Sequence, residues 1–217
     1  MSGSTIAPPV EVVRSLPGPA GYMCGLTWDG TWLWHSDQDA ARIFAIDPAD
    51  GAVRRSFAYP DVRADLGYAD GKLCQIGGRP KRILLIDPAT GQTVGSKPVR
   101  PSNGRVTGME TGPEGVWLCL RAPAVIQLRD FETMTVQREH PVVGSPSGLT
   151  YAEGHVLYAE FEDGLLHAVD AESGRLVATV RLPGHPTGLA WDGELVWYCD
   201  FADRRFKAVR LPDVLGG

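Results

Sequence analysis

The chain shows almost no helical signal. No stretch of about ten residues combines i, i+3, i+4 apolar spacing with caps, which excludes helical and α/β domains. It has no Lys/Arg run, and its net charge is −5, which excludes nucleic acid as a partner. No apolar run approaches the ~20 residues of a membrane span, so no membrane association is expected. Met1-Ser2-Gly3-Ser4-Thr5 lacks the charged and apolar regions of a secretion signal, so a cytoplasmic chain is expected. Cysteine is scarce: Cys24, Cys74, Cys119 and Cys199 fall in different predicted strands with no CxxC spacing. They read as reduced, mostly buried thiols of a cytoplasmic protein. There is no Ser-His-Asp triad, P-loop, GxGxxG or metal-finger spacing, and Ser147-Gly148 lacks the frame of a nucleophile elbow.

What the chain does have is a repeat. Gly25-Leu26-Thr27-Trp28-Asp29-Gly30 is followed by Leu33-Trp34-His35-Ser36-Asp37, then Arg42-Ile43-Phe44-Ala45-Ile46-Asp47-Pro48, then Val53 to Phe57. These are four short apolar or alternating runs, punctuated by residues with a turn mechanism: Gly for φ > 0, Asp for bonding its own backbone, Pro for a preset φ. Four strands joined by tight hairpins make one twisted antiparallel sheet. The acid-Gly turn recurs at Asp29, Asp70, Glu114, Glu153 and Asp192, at spacings of 41, 44, 39 and 39 residues. A second marker ends the third run at Asp47, Asp87, Asp130 and Asp170, with Arg210 in the fifth slot.

A period near ~40 with four strands per unit predicts an all-β five-bladed β-propeller. The 217 residues then form one domain, with residues 1–9 as a loose lead-in. The predicted blades are 25–60, 64–100, 108–142, 148–184, and 188–213 completed by 10–17. The last repeat lacks a fourth run, and residues 10–18 resemble the fourth run at 176–184, so the N-terminal strand is expected to close the ring and remove an exposed edge. The third repeat is longest, through residues 101–105 before its first strand.

Aligning the second strand of each repeat on its preceding turn places Asp37, Gly77, Arg121, Glu160 and Asp200 at one strand end. Period-2 alternation then sets His35, Gln75, Cys119, Tyr158 and Tyr198 one layer deeper on the same face. Trp34, Cys74 or Leu73, Leu118, Leu157 and Trp197 fall on the opposite face, which packs between blades. Asp37, Glu160 and Asp200 are therefore candidate catalytic acids around one axial mouth, and equally candidate ligands for a divalent cation such as Mg or Ca. Arg121 can pair with a substrate carboxylate or carbonyl, and His185 can act as a base at the rim. Tyr22, Arg105, Glu110, His35, Tyr158 and Tyr198 complete the candidate substrate-binding set. Glu110 stands where other repeats carry Thr27, Tyr68, Thr150 and Ala190, and it needs a partner such as Arg105 or Arg121. The competing reading of the three acids is structural: each closes a turn within its own repeat.

Pro186-Thr187-Gly188-Leu189-Ala190-Trp191-Asp192-Gly193, Val196-Trp197-Tyr198-Cys199-Asp200 and Ile86-Asp87-Pro88-Ala89-Thr90-Gly91 resemble one propeller superfamily. It contains the NHL repeats, the streptogramin B lyases and the gluconolactonase-like hydrolases. The acid of the lyase phrase Trp-Phe-Thr-Glu falls on Asp37, Glu160 and Asp200, and its histidine slot falls on Cys24, Asp65, Thr107, Ser147 and Thr187. Blade number and chain size are also similar to the five-bladed glutaminyl cyclases, whose Leu-Tyr-Glu-Ser phrase aligns with Leu33-Trp34-His35-Ser36. The resemblance implies a lyase, hydrolase or cyclase acting on a small molecule; a monomer is expected. The alternative is a non-catalytic propeller that binds a ligand or protein on one face, or one that keeps no site; fold alone does not choose between them.

Overall fold

The computed structural model describes residues 8–19, 21–100 and 105–216. Most of the expected lead-in and most of the long loop before the third repeat lie outside the described residues.

Twenty strands form five four-stranded antiparallel sheets. The first blade comprises β2 (Met23–Trp28), β3 (Leu33–Asp37), β4 (Arg42–Ile46) and β5 (Val53–Ala58). The second comprises β6 (Val62–Ala69), β7 (Lys72–Gly77), β8 (Arg82–Ile86) and β9 (Thr93–Pro98). The third comprises β10 (Val106–Gly112), β11 (Gly115–Leu120), β12 (Val125–Arg129) and β13 (Val136–Pro141). The fourth comprises β14 (Pro146–Ala152), β15 (His155–Glu160), β16 (Leu165–Asp170) and β17 (Leu176–Arg181). The fifth has β18 (Pro186–Trp191), β19 (Leu195–Asp200) and β20 (Arg205–Arg210), and its outer strand is β1 (Arg14–Pro17). The protein is thus the five-bladed propeller that the repeats imply.

The acidic markers work as local turn chemistry. Asp29 Oδ1 accepts the N–H groups of Thr31 and Trp32, while its Oδ2 takes the Trp34 indole at 2.6 Å. Asp192 repeats this in the fifth blade with Glu194, Leu195 and the Trp197 indole. One carboxylate therefore fixes a turn and a rotamer together, which suits both indoles to burial between blades. Asp47, Asp87, Asp130 and Asp170 cap the next turns through the N–H groups of Ala49, Ala89, Thr133 and Ser173. Those backbone donors lower the carboxyl pKa at three of them, and at Asp170 the Ser173 hydroxyl leads.

Closure runs as expected. β1 pairs antiparallel with β20, setting Leu16 opposite Phe206. The lead-in also ties to the fourth blade, because the Arg181 N–H donates to the Pro8 carbonyl at 2.8 Å, and Val10 N–H returns a bond to the Arg181 carbonyl at 3.1 Å. After β20 the chain forms α1 (Leu211–Leu215), one short turn that the repeat pattern did not reveal; it buries Leu211 and Val214.

The innermost strands β2, β6, β10, β14 and β18 contact one another in a ring. Four of them bring a glycine against the next blade. A Cβ on Gly25 would meet the Leu66 backbone, one on Gly148 the Thr187 carbonyl, and one on Gly188 the Leu26 backbone. Backbones approach this closely only where there is no side chain. Gly148→Ala should therefore cost about 1–3 kcal/mol by overpacking or prevent ring closure. Gly95→Ala, on an outer strand with no atom closer than 3.5 Å to the new Cβ, should be nearly neutral, both variants being compared with the wild type by urea titration.

Candidate functional site

Each innermost strand is paired on one side only, so its other edge turns unpaired N–H groups toward the axis. Strand pairing identifies one layer of five: Leu26, Leu66, Met109, Leu149 and Leu189, opposite His35, Gln75, Leu118, Tyr158 and Tyr198. A single carboxylate meets four of them. Asp65 Oδ1 accepts from Leu66 at 3.0 Å and Leu26 at 3.3 Å; Oδ2 accepts from Met109 at 3.2 Å and Leu149 at 3.3 Å. The residue preceding each donor is Gly25, Asp65, Gly108, Gly148 or Gly188, so Asp65 fills a slot that is glycine in the other four blades. It is 1% exposed. Burial pushes its carboxyl well above the usual range, against the pull of the backbone donors and with a small further push from Glu110.

One step toward the mouth lies a ring of short side chains: Cys24, Ala64, Thr107, Ser147 and Thr187. Three hydroxyls link neighbouring blades. Thr107 donates to the Pro146 carbonyl at 2.9 Å, Ser147 to Pro186 at 3.3 Å, and Thr187 to Met23 at 2.9 Å. Ala64 has no hydroxyl, and the corresponding carbonyl, that of Val106, receives Lys81 Nζ at 2.8 Å instead. Arg121 Nε joins Thr107 on the Pro146 carbonyl at 2.7 Å. Arg63 donates to the carbonyls of Pro60 and Val62, and its buried Nε has no partner.

Above Asp65 this ring opens into a cavity of about 390 Å³. Arg63, Lys81 and Arg121 line it on the side of the second and third blades; Tyr22, Phe161 and Glu162 line it elsewhere. Burial, and secondarily the charge of Arg121, lower the Lys81 pKa. Burial pushes the Cys24 thiol up to about 12.

The three acids expected at this mouth are held elsewhere. Asp37 Oδ1 accepts the N–H groups of Tyr22 and Ala40. Glu160 accepts Ser145 N–H and faces His167 Nε2 at 3.1 Å. Asp200 accepts His185 and Ala202 N–H and pairs with Lys207 Nζ at 2.5 Å. Each acid thus fastens the loop leading into its own blade to the end of the second strand. The loop glycines Gly21, Gly144 and Gly184 leave room for those carboxylates. None of the three lines the cavity, and the described residues include no His/Cys/Asp/Glu group suited to a metal. The cation-rich mouth, with both Asp65 oxygens engaged, likewise does not suit Mg or Ca.

Arg121 reaches the mouth, though not from the expected slot. The partners of Met23, Val62, Val106, Pro146 and Pro186 are Asp37, Gly77, Leu120, Glu160 and Asp200. Leu120 therefore occupies the strand end in the third blade, and Arg121 is the first residue of the following turn. The cause is the preceding hairpin: its loop is Pro113-Glu114, and Gly115 already pairs with Gly112 as strand. A one-residue slip exchanges faces. Hence Trp117, not Leu118, shares the inter-blade slot of Trp34 and Trp197, and Leu118, not Cys119, aligns with Tyr158.

The remaining candidates divide. Tyr22 lines the cavity. Arg105 bonds the Ala122 carbonyl. His185 lies tilted against Phe161 with Nδ1 3.0 Å from that residue's carbonyl, outside the axial cavity. His35 is fully buried with Nδ1 on the Gly25 carbonyl, and burial lowers its pKa to about 4. The hydroxyls of Tyr158 and Tyr198 donate to the carbonyls of Val143 and Pro183. These five residues hold the framework. Glu110 is paired neither with Arg105 nor with Arg121. It lies in the next axial layer, with Thr27, Gly67, Thr150 and Ala190, and accepts Thr27 Oγ1 and Thr111 N–H, each at 2.8 Å. Sequence reasoning missed Asp65 and Lys81. The run Gly-Leu, Asp-Leu, Gly-Met, Gly-Leu, Gly-Leu marks Asp65 as the exception in an axial glycine slot; no periodic signal marks Lys81.

No protein family's sequence profile and no curated protein matches this chain. Solved structures do. The glutaminyl cyclase of Myxococcus xanthus superposes with a TM-score of 0.77 at 12% identity, over 93% of this chain and 97% of that one. A catalytically inactive virginiamycin B lyase from Staphylococcus aureus with quinupristin gives 0.54 at 18% identity, over 90% and 68%. A chain of a nidogen/laminin complex gives 0.62 at 15% identity, over 89% and 77%. At these identities the likeness establishes the fold, which enzymes and a binding assembly share.

Burial raises the Glu110 carboxyl from 4.5 to about 7, with its hydrogen bonds opposing. The folded state therefore holds this proton more tightly than the unfolded chain. The resulting stability is complete below pH ~4.5 and is lost as pH rises through ~7, by up to about 3 kcal/mol. Glu110→Gln should gain on the wild type by that order between pH 4.5 and 8 in chemical denaturation. Parallel pH profiles for the two proteins would show that Glu110 titrates normally.

Proposed function

We propose that the axial mouth is the working site of an enzyme of the lyase, hydrolase or cyclase kind, acting on a small molecule that presents a carboxylate or carbonyl oxygen. The observation that carries this reading is the convergence of Arg63, Lys81 and Arg121, from two adjacent blades, on one cavity. A cavity of that size suits a small ligand oriented by a few polar groups.

The roles follow from the chemistry of the lining. Arg121 takes the ligand oxygen and stabilises negative charge developing there. Lys81, whose pKa is lowered by burial and by Arg121, transfers the proton. Covalent catalysis is disfavoured, since the Cys24 thiol is pushed up to about 12 and the ring hydroxyls donate to backbone carbonyls. Four free cysteines in the described chain fit a reducing, cytoplasmic setting.

The glutaminyl cyclase likeness puts an N-terminal glutaminyl peptide first in a substrate panel, followed by small lactones and amides. At least one should be turned over. Lys81→Met should lower kcat by ~10²–10⁴ in protein that stays folded, and Arg121→Gln should lower kcat/KM. Turnover indifferent to both substitutions would overturn the assignment. Ligand binding without turnover would identify the propeller as a binding platform.

A further inference from the structure

The mouth is divided by chemistry. The first turn residue after each second strand is Gln38, Gly78, Arg121, Phe161 and Phe201 in the five blades. Of these equivalent positions only the last two, in the fourth and fifth blades, are aromatic. Phe201 stands edge-on to Phe161, with centroids 5.6 Å apart, and edge-on to Tyr22 at 4.9 Å. Phe161 and Tyr22 both line the cavity, so Phe201 buttresses an aromatic wall contributed by the first, fourth and fifth blades. Arg63, Lys81 and Arg121 face that wall from the second and third blades.

We propose that this site selects an aryl carboxylate, with its ring against Phe161 and Tyr22 and its carboxylate toward Arg121 and Lys81. The inference rests on the reading of the mouth as a small-molecule site and goes beyond it by naming the ligand class. An aromatic ring meets the wall in the edge-on or offset geometries that aromatic pairs prefer. A carboxylate suits the planar donors of Arg121. Glu162, beside Phe161 on the cavity lining, repels a second anionic group at the aromatic end, so the ligand carries its charge at one end only.

The test is a ligand-observed NMR titration of the full chain with 3-phenylpropionate and with propionate, which share a carboxylate and differ in the ring. The wild type should bind the aryl acid ~10-fold or more tightly than propionate. Phe161→Ala should erase that preference and leave propionate binding unchanged, whereas Arg121→Gln should weaken both. Tyr22→Ala serves as the second variant if Phe161→Ala does not fold. Equal wild-type affinities, or a preference that survives loss of the ring, would overturn aryl selection while leaving the mouth as an anion site. Binding of neither acid, or indifference of both to Arg121→Gln, would overturn the mouth reading itself.

Discussion

Five strand edges that meet at one axis must find acceptors for their inward N–H groups. This constraint follows directly from β-propeller geometry, since an innermost strand has a neighbour on one side only. Here one buried carboxylate answers it, with Asp65 accepting from Leu26, Leu66, Met109 and Leu149. A lone side chain fits there because the other four blades place glycine in the same slot. The axial glycines and Asp65 are therefore a single device. The glycines allow the blades to approach, and the carboxylate ties four of them together while forming the floor of the cavity.

Symmetry and its breaking divide the framework from the mouth along this chain. Where the repeats agree, the residues maintain the ring: Asp37, Glu160 and Asp200 each fasten a lead-in loop to a strand end, and Thr107, Ser147 and Thr187 link blade to blade. Where they disagree, the mouth loses its repetition. Ala64 cannot supply a hydroxyl, and Lys81 arrives on the Val106 carbonyl in its place. Leu120 cannot fasten a loop, and Arg121 follows it into the mouth. The same turn position becomes Phe161 and Phe201 one and two blades on, so the mouth is cationic on one side and aromatic on the other.

The blades, their closure by the N-terminal strand and the burial of Trp34 and Trp197 were legible in the sequence, although the closing strand is only Arg14–Pro17. Turn chemistry and period-2 alternation are local and recur five times, so each repeat corroborates the others. The site was less legible because it depends on register to a single residue. Glu114-Gly115 looks like the acid-Gly turns of the other blades, but Gly115 pairs with Gly112, and the third blade shifts by one. That shift made Arg121 look like a strand-end equivalent of the acids. Those acids occupy matching positions as expected, yet matching positions put them on matching turns rather than in one pocket. Asp65 sat one residue too early in a turn-based alignment, and a Gly-Leu-based alignment places it on the axis.

The central claim is that Asp65 answers the axial donors of four blades. Asp65→Gly tests it most directly, because the substitution makes the second blade conform to the other four. If repeat conformity were what mattered, the variant would match or exceed the wild type. The axial account predicts the reverse. Removing the acceptor leaves the N–H groups of Leu26, Leu66, Met109 and Leu149 without their carboxylate, at a cost of several kcal/mol, since each unsatisfied buried donor costs about 1–3 kcal/mol. The measurement is the unfolding free energy of the two proteins in urea at one pH. A large loss in Asp65→Gly supports the account, and equal or greater stability contradicts it.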